Sequence, residues 1–239
     1  MLNKLIIAVM SFAFMVSAEA TTVSLKYLSP NQTVISNTTV NGQAIGNAYI
    51  GSYNLAVQNN GVTSNIVAFC VDPYQLASTS FANYTAKTLA VTDFTVNGNT
   101  GAAQIASAAT RFADVQKLYD NAYSTVFSSA AAAAGFDYAL WELFFDDSNV
   151  NTGNIKKNSG SNSAALAQAS ILLNSLSGWS VTNAYTLTFY ESDKYQNFLQ
   201  ATPTPPSAVP LPAALPLMLS GLGLFGIGAS RRKGKAVTV

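Results

Sequence analysis

The first third of the chain alternates between apolar and polar positions, which is the pattern of strands that bury one face in an antiparallel sheet. The alternation runs over residues 23–27, 33–40 and 48–57. The turn sequence Asn59-Asn60-Gly61 then precedes an apolar run over residues 66–70. The pattern therefore predicts an antiparallel sheet in this part of the chain.

The spacing of the apolar residues changes after a further predicted strand over residues 84–96. Apolar side chains then recur every three to four positions, as they do on the buried face of a helix. Predicted helices cover residues 102–123, 129–146 and 164–176, and a final strand covers residues 184–190. We therefore predict an α+β fold, in which an antiparallel β-sandwich or barrel-like sheet carries an inserted helical subdomain.

The N-terminal end of the chain has a different pattern. Lys4 precedes an apolar stretch over residues 5–16, which is followed by Ser17-Ala18-Glu19-Ala20. A basic start, an apolar centre and an Ala-x-Ala sequence, here formed by Ala18 and Ala20, are typical of a secretory signal peptide. We predict that residues 1–20 are a signal peptide that is cleaved after Ala20.

The C-terminal end contains a run long enough to cross a membrane. The 19 residues 211–229 carry no charge and would span about 28 Å as a helix, close to the roughly 30 Å of a bilayer's apolar core. Arg231, Arg232 and Lys233 follow this run and favour a cytoplasmic C-terminus. The predicted organisation is a signal peptide (1–20), an exported domain (21–199), a proline-rich spacer (200–208) and a C-terminal segment (209–235) whose transmembrane helix covers residues 211–229.

A proline motif overlaps the start of the apolar run. It consists of Val209, Pro210, Leu211, Pro212 and Ala213. With the apolar run and the basic end, it resembles the PEP-CTERM sorting signal of bacterial exported proteins, in a variant that has Val-Pro-Leu-Pro-Ala in place of Pro-Glu-Pro. The resemblance implies processing by an exosortase, a membrane-embedded cysteine transpeptidase, and an association with exopolysaccharide or biofilm. The alternative is an ordinary membrane anchor that is never processed.

Composition narrows the chemistry of the exported domain. Without the two terminal segments, seven basic and ten acidic residues remain, so a basic surface for nucleic acid is not expected. The chain contains no histidine, which excludes a Ser-His-Asp or Cys-His nucleophile and a His-ligated zinc site. We expect no cofactor and no catalytic residues, and we predict a non-enzymatic protein of the envelope or the extracellular matrix.

Two residues of the domain call for an explanation. Cys70 is the only cysteine and ends an apolar strand, so it forms no disulfide within the domain, and a small buried core residue is its simplest interpretation. Asp137 falls on the apolar arc of the predicted helix 129–146, where a carboxylate is unusual. If Asp137 is buried beside Cys70, its pKa is expected to rise. On the same helix, Glu142 and Asp146 are predicted to point away from the core into solvent.

The aromatic-Cys strand end and the later Phe-x-x-Ala-Leu-Trp helix, which contains Phe136 and Trp141, resemble the thioester domains of bacterial surface adhesins. In those domains the cysteine sulfur is bonded to the side-chain carbonyl of a glutamine, at the position that Asp137 matches here. A glutamine amide can be attacked by a thiolate with loss of ammonia, whereas a carboxylate repels a thiolate and offers no comparable leaving group. We therefore predict that Cys70 and Asp137 form no thioester. An adhesin with a covalent or lectin-like site remains the alternative function.

The sequence disfavours two further kinds of site, a calcium-binding loop and a paired-carboxylate active site. Residues 146–153 carry oxygen side chains at alternate positions, as calcium loops do, but they lack the glycine at the sixth place and the acid at the twelfth. A loop that ends a helix is the preferred interpretation, and no metal site is expected. A hydrolase with paired carboxylates is also disfavoured, because Asp137 and Glu142 would project about 140° apart on their helix.

Overall fold

The computed structural model describes residues 19–94 and 106–206. The strands are β1 (Thr21–Ser36), β2 (Thr39–Val40), β3 (Gln43–Ala44), β4 (Ala48–Asn59), β5 (Val62–Cys70), β6 (Ala82–Thr88), β7 (Ile155–Lys156), β8 (Tyr185–Glu191) and β9 (Phe198–Pro203). The α-helices are α1 (Ala108–Ala122), α2 (Ala130–Phe145) and α3 (Ser163–Ser175). Short 3-10 helices cover Val91–Phe94, Tyr123–Ser128 and Leu176–Gly178.

Six strands close into an antiparallel barrel in the order β1-β4-β5-β9-β8-β6. Closure gives each of these strands a neighbour on both sides, although β5 pairs with β9 only at Phe69 and Cys70. The short strands β3, β2 and β7 form a separate three-stranded sheet, and the three α-helices lie between β6 and β8 in the sequence. The α+β class and the barrel-like sheet with an inserted helical part are therefore confirmed.

The first two predicted strands are one long strand. β1 pairs with β4 over nearly its whole length, with irregular register between Tyr27 and Ser29 and between Pro30 and Thr33. Such irregularities bend a strand, which helps a sheet to curve into a barrel. The predicted turn after β4 is confirmed, since Asn60 and Gly61 both have positive φ angles, 49° and 79°, as a two-residue hairpin requires.

Two predictions about strands are wrong. Residues 200–203 do not belong to a spacer, because they form the second half of β9 and pair with β8. The proline-rich composition was misleading here, since Pro203 stands only at the end of the strand, where a missing amide hydrogen is tolerated. The strand predicted over residues 84–96 ends at Thr88, and the chain then turns into the 3-10 helix Val91–Phe94.

Helix α2 lies at the centre of the fold and is buried on all sides. It begins at the cap of Ser129, whose hydroxyl accepts a hydrogen bond from the amide of Ala132 at 3.1 Å. It packs on one side against β4 and β1 and on the other against α3. At Gly135 a Cβ atom would lie 2.4 Å from the Cβ of Gln168, so this glycine allows α2 and α3 to approach closely.

Arg111 of α1 fixes the C-terminal end of α2. Its guanidinium is only 3% exposed, donates a hydrogen bond to the carbonyl of Phe144 at 2.6 Å and also donates to the carbonyl of Phe94. It stands 5.5 Å from the centre of the Phe94 ring. The carbonyls at a helix C-terminus carry partial negative charge, so a cation there is favourable. Arg111 therefore fixes the segment from which the acidic residues after α2 project.

None of the helices within residues 19–94 and 106–206 has the length and apolar character needed to cross a membrane. The membrane span predicted over residues 211–229 lies outside the described residues. So do most of the predicted signal peptide and the whole predicted sorting motif.

Candidate functional site

Cys70 is held at the end of β5 by contacts of its backbone and its sulfur. The residue is fully buried, and its carbonyl accepts a hydrogen bond from the indole nitrogen of Trp141 at 3.0 Å. Its thiol donates to the carbonyl of Asp72 at 3.3 Å, and its sulfur accepts from the amide of Asp72 at 3.4 Å. These contacts join the strand end to helix α2 and place the thiol inside the core.

Asp137 of α2 is also fully buried, and its partner is a backbone amide of the barrel. Its Oδ2 atom accepts a hydrogen bond from the amide of Gly51 at 2.9 Å, while Oδ1 has no partner among the described residues. Gly51 has a φ of 136°, and a Cβ there would lie 2.1 Å from the carbonyl oxygen of Gln32. Only glycine fits this position, so the donor to Asp137 depends on a residue without a side chain.

The electrostatics of the two groups favour their neutral forms. Burial raises the pKa of Asp137 well above its usual value, and the hydrogen bond from Gly51 opposes only part of this rise. Burial also raises the pKa of the Cys70 thiol, and the nearby carboxyl of Asp137 raises it further. The expected rise in the pKa of Asp137 is therefore confirmed, and the two side chains lie close enough to interact electrostatically.

This arrangement makes a weak nucleophile. The reactive form of cysteine is the thiolate, and a raised pKa together with complete burial keeps Cys70 a protonated thiol away from solutes. Tyr53 belongs to the same cluster, since burial raises the pKa of its hydroxyl and the charges of Cys70 and Asp137 raise it further. Tyr53, Cys70 and Asp137 therefore favour their protonated forms, and Cys70 is not suited to attack a ligand.

We expect the stability of the domain to fall as pH rises, partly through Asp137. A carboxyl whose pKa is higher in the folded state gives stability that is complete below its unfolded pKa and is lost as pH rises towards its folded pKa. Asp137→Asn removes this titration, so the fall between pH 5 and 7 should be smaller by up to about 1.4 kcal/mol per pH unit. Urea unfolding at several pH values measures the difference.

The matched control for this experiment is Asp193→Asn, which changes an exposed acid far from the cluster in sequence. It should keep the pH dependence of the unaltered chain. If Asp137→Asn and Asp193→Asn give the same pH dependence, then Asp137 does not titrate differently in the folded and unfolded states.

A second group of carboxyls lies at the C-terminal end of α2, and it corrects the sequence analysis. Glu142 is fully buried and Asp146 is only 3% exposed, whereas both were predicted to be solvated. The reason is that the chain after α2 folds back over the end of the helix. The backbone amide of Ile155 donates a hydrogen bond to Asp146 Oδ2, and the amide of Asn149 donates to Glu142 Oε2 at 3.0 Å.

Asp147 joins Glu142 and Asp146, so that one ligand atom from each of the three carboxyls lies within 4.8 Å of the others. Burial and then the charge of Asp146 raise the pKa of Glu142 to about 9, against the hydrogen bond from Asn149. Helical periodicity could not predict this group, because it depends on the path of the following loop. The alternating oxygen side chains of residues 146–153 were the only sequence signal for it.

The C-terminal end of the chain matches a known protein family model through its apolar run, preceding prolines and basic end. Residues 208–233 are a PEP-CTERM protein-sorting motif. The PEP-CTERM motif implies an exported, cell-envelope-associated protein that an exosortase processes. The roles predicted for Val209 to Ala213, for the basic residues 231–233 and for the cleavage site at Ala18 and Ala20 stay predictions, as does permanent or transient anchoring.

The rest of the chain resembles solved structures at low sequence identity. An N-terminal thioester domain of a surface protein from Clostridium perfringens has 13% identity and a TM-score of 0.46, over 77% of this chain and 100% of that one. The thioester domain of the fibronectin-binding protein SfbI from Streptococcus pyogenes has 16% identity and a TM-score of 0.43, over 75% and 98% of the two chains. The N-terminal domain of the pilus tip adhesin Cpa from Streptococcus pyogenes has 15% identity and a TM-score of 0.43, over 65% and 86%. Among curated proteins, no sequence matches this chain.

Proposed function

We propose that this PEP-CTERM chain is a non-enzymatic protein of the bacterial envelope or extracellular matrix, associated with exopolysaccharide or biofilm. The observation that carries the proposal is the sorting motif over residues 208–233. A sorting signal concerns where a chain goes, and the non-enzymatic part of the proposal rests instead on the burial of Cys70. The exported domain is the cargo, and its role is to be present at the cell surface or in the matrix.

The proposed route uses both ends of the chain. The signal peptide of residues 1–20 starts export, and the apolar run of residues 211–229 holds the chain in the inner membrane. The basic residues Arg231, Arg232 and Lys233 keep the C-terminal end in the cytoplasm. An exosortase then acts near Val209 to Ala213 and separates the domain from its anchor.

A non-enzymatic role is supported by the state of the most reactive side chain. Cys70 is fully buried, and its raised thiol pKa opposes formation of a thiolate. Asp137 beside it is equally buried and is hydrogen-bonded to a backbone amide of the barrel. Groups that serve as structural parts of a core do not need access to solvent, whereas a nucleophile that captures a ligand does.

Cell fractionation tests the proposed route. With a tag inside the domain, the unaltered chain should leave the inner membrane when a cognate exosortase is present. A chain with Pro210→Ala and Pro212→Ala should stay in the membrane fraction, because the motif before the apolar run is removed. The matched control replaces Pro205 and Pro206 with alanine, which changes prolines just before the motif and should leave release unaffected. Membrane retention in every case would contradict processing and favour a permanent anchor.

One observation favours a second function, that of an adhesin that binds covalently. Cys70 and Asp137 lie close enough for the charge of Asp137 to raise the pKa of the Cys70 thiol. A thioester between them would form one sulfur-carbon bond and release one water, with no net oxidation. In such a chain, the thioester carbonyl would be the group that captures an amine of the partner.

We expect that no such bond is present, and intact-mass spectrometry measures this directly. The mature chain should have the mass of its sequence, and Cys70 should react with an alkylating reagent once the chain is unfolded. Cys70→Ala is the control, since it should show no alkylation. A mass lower by about one water, together with an unreactive Cys70, would contradict the proposal and establish the covalent adhesin.

A further inference from the structure

Three carboxyl side chains converge where helix α2 ends. Glu142 comes from the last turn of the helix, and Asp146 and Asp147 follow it directly. One oxygen from each lies within 4.8 Å of the others, and the loop that carries the two aspartates folds back over the helix end. Glu142 and Asp146 were expected to point into solvent, so their convergence with Asp147 could not be predicted from the sequence.

Two oxygens in this group lack partners although they are buried. Glu142 Oε1 and Asp146 Oδ1 have no hydrogen-bond partner among the described residues, and the two residues are 0% and 3% exposed. Buried carboxyl oxygens in native proteins are nearly always hydrogen-bonded, paired with a cation or bound to a metal. The unpartnered oxygens of Glu142 and Asp146 therefore point to a bound ligand.

Within residues 19–94 and 106–206, no basic side chain forms an ion pair with this group. The ion pairs among the described residues involve Lys87 with Asp93 and Glu191, and Lys117 with Asp114. None of these includes Glu142, Asp146 or Asp147. Three neighbouring carboxylates repel one another at low dielectric, so a positive charge placed among them would be strongly stabilised.

We propose that Glu142, Asp146 and Asp147 bind one Ca²⁺ ion. The donors are all oxygens, which suit a hard cation, and no histidine or cysteine sulfur takes part as a zinc site would prefer. Two oxygens that share a Ca²⁺ ion at 2.3–2.6 Å can be up to about 5 Å apart, but two that share Mg²⁺ at 2.0–2.1 Å only about 4.2 Å. Separations of up to 4.8 Å are compatible with Ca²⁺, whose coordination geometry is more flexible than that of Mg²⁺.

The loop around the carboxyls is built to hold them in place. Asp147 accepts a hydrogen bond from the hydroxyl of Thr152 at 2.7 Å and another from the amide of Asn149 at 3.0 Å. Gly153 has a φ of 77°, and a Cβ there would lie 2.1 Å from Asp146 Oδ1. The loop therefore needs glycine at this position to leave room for the carboxyl of Asp146.

One member of the group reaches solvent. Asp147 is partly exposed, and the residues that follow it line a neighbouring cleft of about 270 Å³ between this loop and α3. Ser148, Asn149 and Asn151 contribute to its polar wall. Ca²⁺ takes six to eight oxygen ligands, so water from this side could complete the coordination that three carboxylates begin.

Isothermal titration with CaCl₂ tests the proposal on the full chain, purified in detergent and freed of metal with a chelator. We expect one saturable site and a rise in Tm on adding Ca²⁺, with at least tenfold weaker binding of Mg²⁺. Glu142→Gln should weaken Ca²⁺ binding at least tenfold. Asp147→Asn should also weaken it, and this partly exposed position keeps the test valid if the buried variant does not fold.

Asp193→Asn is the matched control and should bind Ca²⁺ as the unaltered chain does. An absence of both binding heat and Tm shift would overturn the proposal and leave a pair of protonated acids as the explanation of the group. Binding that is the same in Glu142→Gln, Asp147→Asn and the control would also overturn it, since the ion would then be held elsewhere. Because the proposal concerns only this group, it does not depend on processing by an exosortase.

Discussion

Gly51→Ala is expected to lower the free energy of unfolding of the exported domain by roughly 3–6 kcal/mol, because it adds backbone strain, a steric clash and the loss of a buried hydrogen bond. Gly51 has a φ of 136°, which costs an L-residue strain of about 1–3 kcal/mol. The new Cβ would stand 2.1 Å from the carbonyl oxygen of Gln32 and 3.0 Å from the Cα of Thr33. Both are backbone atoms of β1, so relief requires the paired strands to separate.

The same substitution disturbs a buried hydrogen bond. The Gly51 amide is the donor to Asp137 Oδ2 at 2.9 Å, and any shift of β4 away from β1 changes that geometry. Leaving a buried carboxyl without its donor costs about 1–3 kcal/mol. The substitution therefore adds backbone strain, a steric clash and an unsatisfied polar group at one point.

Urea denaturation followed by tyrosine and tryptophan fluorescence measures the change, and Gly61→Ala is the matched control. Gly61 also has a positive φ, 79°, but a Cβ there meets no atom within 4 Å. The free energy of unfolding of the Gly61→Ala control should fall only by the strain contribution of about 1 kcal/mol. Equal losses of unfolding free energy in the two variants would show that the backbone around Gly51 can shift, so that the close approach of Gly51 to Gln32 is not rigid.

Trp141→Ala is expected to lower the free energy of unfolding by about 3–5 kcal/mol, the range for removing a large buried aromatic side chain. Trp141 is 2% exposed and packs edge-to-face on Tyr138, with ring centres 5.6 Å apart. Its indole nitrogen donates the hydrogen bond to the Cys70 carbonyl. The variant therefore leaves a cavity between α2 and the barrel and also a buried carbonyl without its donor.

Two further variants separate these contributions in the same urea experiment. Trp141→Phe keeps most of the side-chain volume and removes the indole donor to the Cys70 carbonyl. The free energy of unfolding of this variant should therefore fall by only about 1–3 kcal/mol. Trp179→Ala removes the chain's other tryptophan from a partly exposed position and should cost less than Trp141→Ala. If Trp141→Ala costs no more than Trp179→Ala, the contact between α2 and the end of β5 does not stabilise the fold.

The sheet and the helices could be predicted because their patterns are local. The alternation over residues 48–57 and the turn at Asn60-Gly61 specify β4 and the hairpin that follows it. The apolar arc of α2 also indicated that Asp137 is buried near the core. Burial of one face is encoded within a few residues, so a single segment suffices to predict it.

The rest of the candidate site depends on segments far apart in sequence. Glu142 points away from the apolar arc of α2, and it is buried only because the chain up to Ile155 returns over the helix end. The strand pattern of residues 48–57 does not distinguish Gly51, whose amide donates to Asp137 in the folded chain. Periodicity describes one element at a time, so it cannot show which loop covers a helix or which amide faces a carboxyl.

The position of β9 sets the order in which the exported domain can be completed. β9 inserts between β5 and β8, and Phe198 of β9 pairs with Cys70. The barrel therefore cannot close without the residues up to 203, and the sorting motif begins at residue 208. The last strand of the barrel and the sorting motif are thus separated by only a few residues of chain. Truncation of the chain before residue 198 therefore removes the strand that closes the barrel, whereas truncation just after residue 203 keeps it.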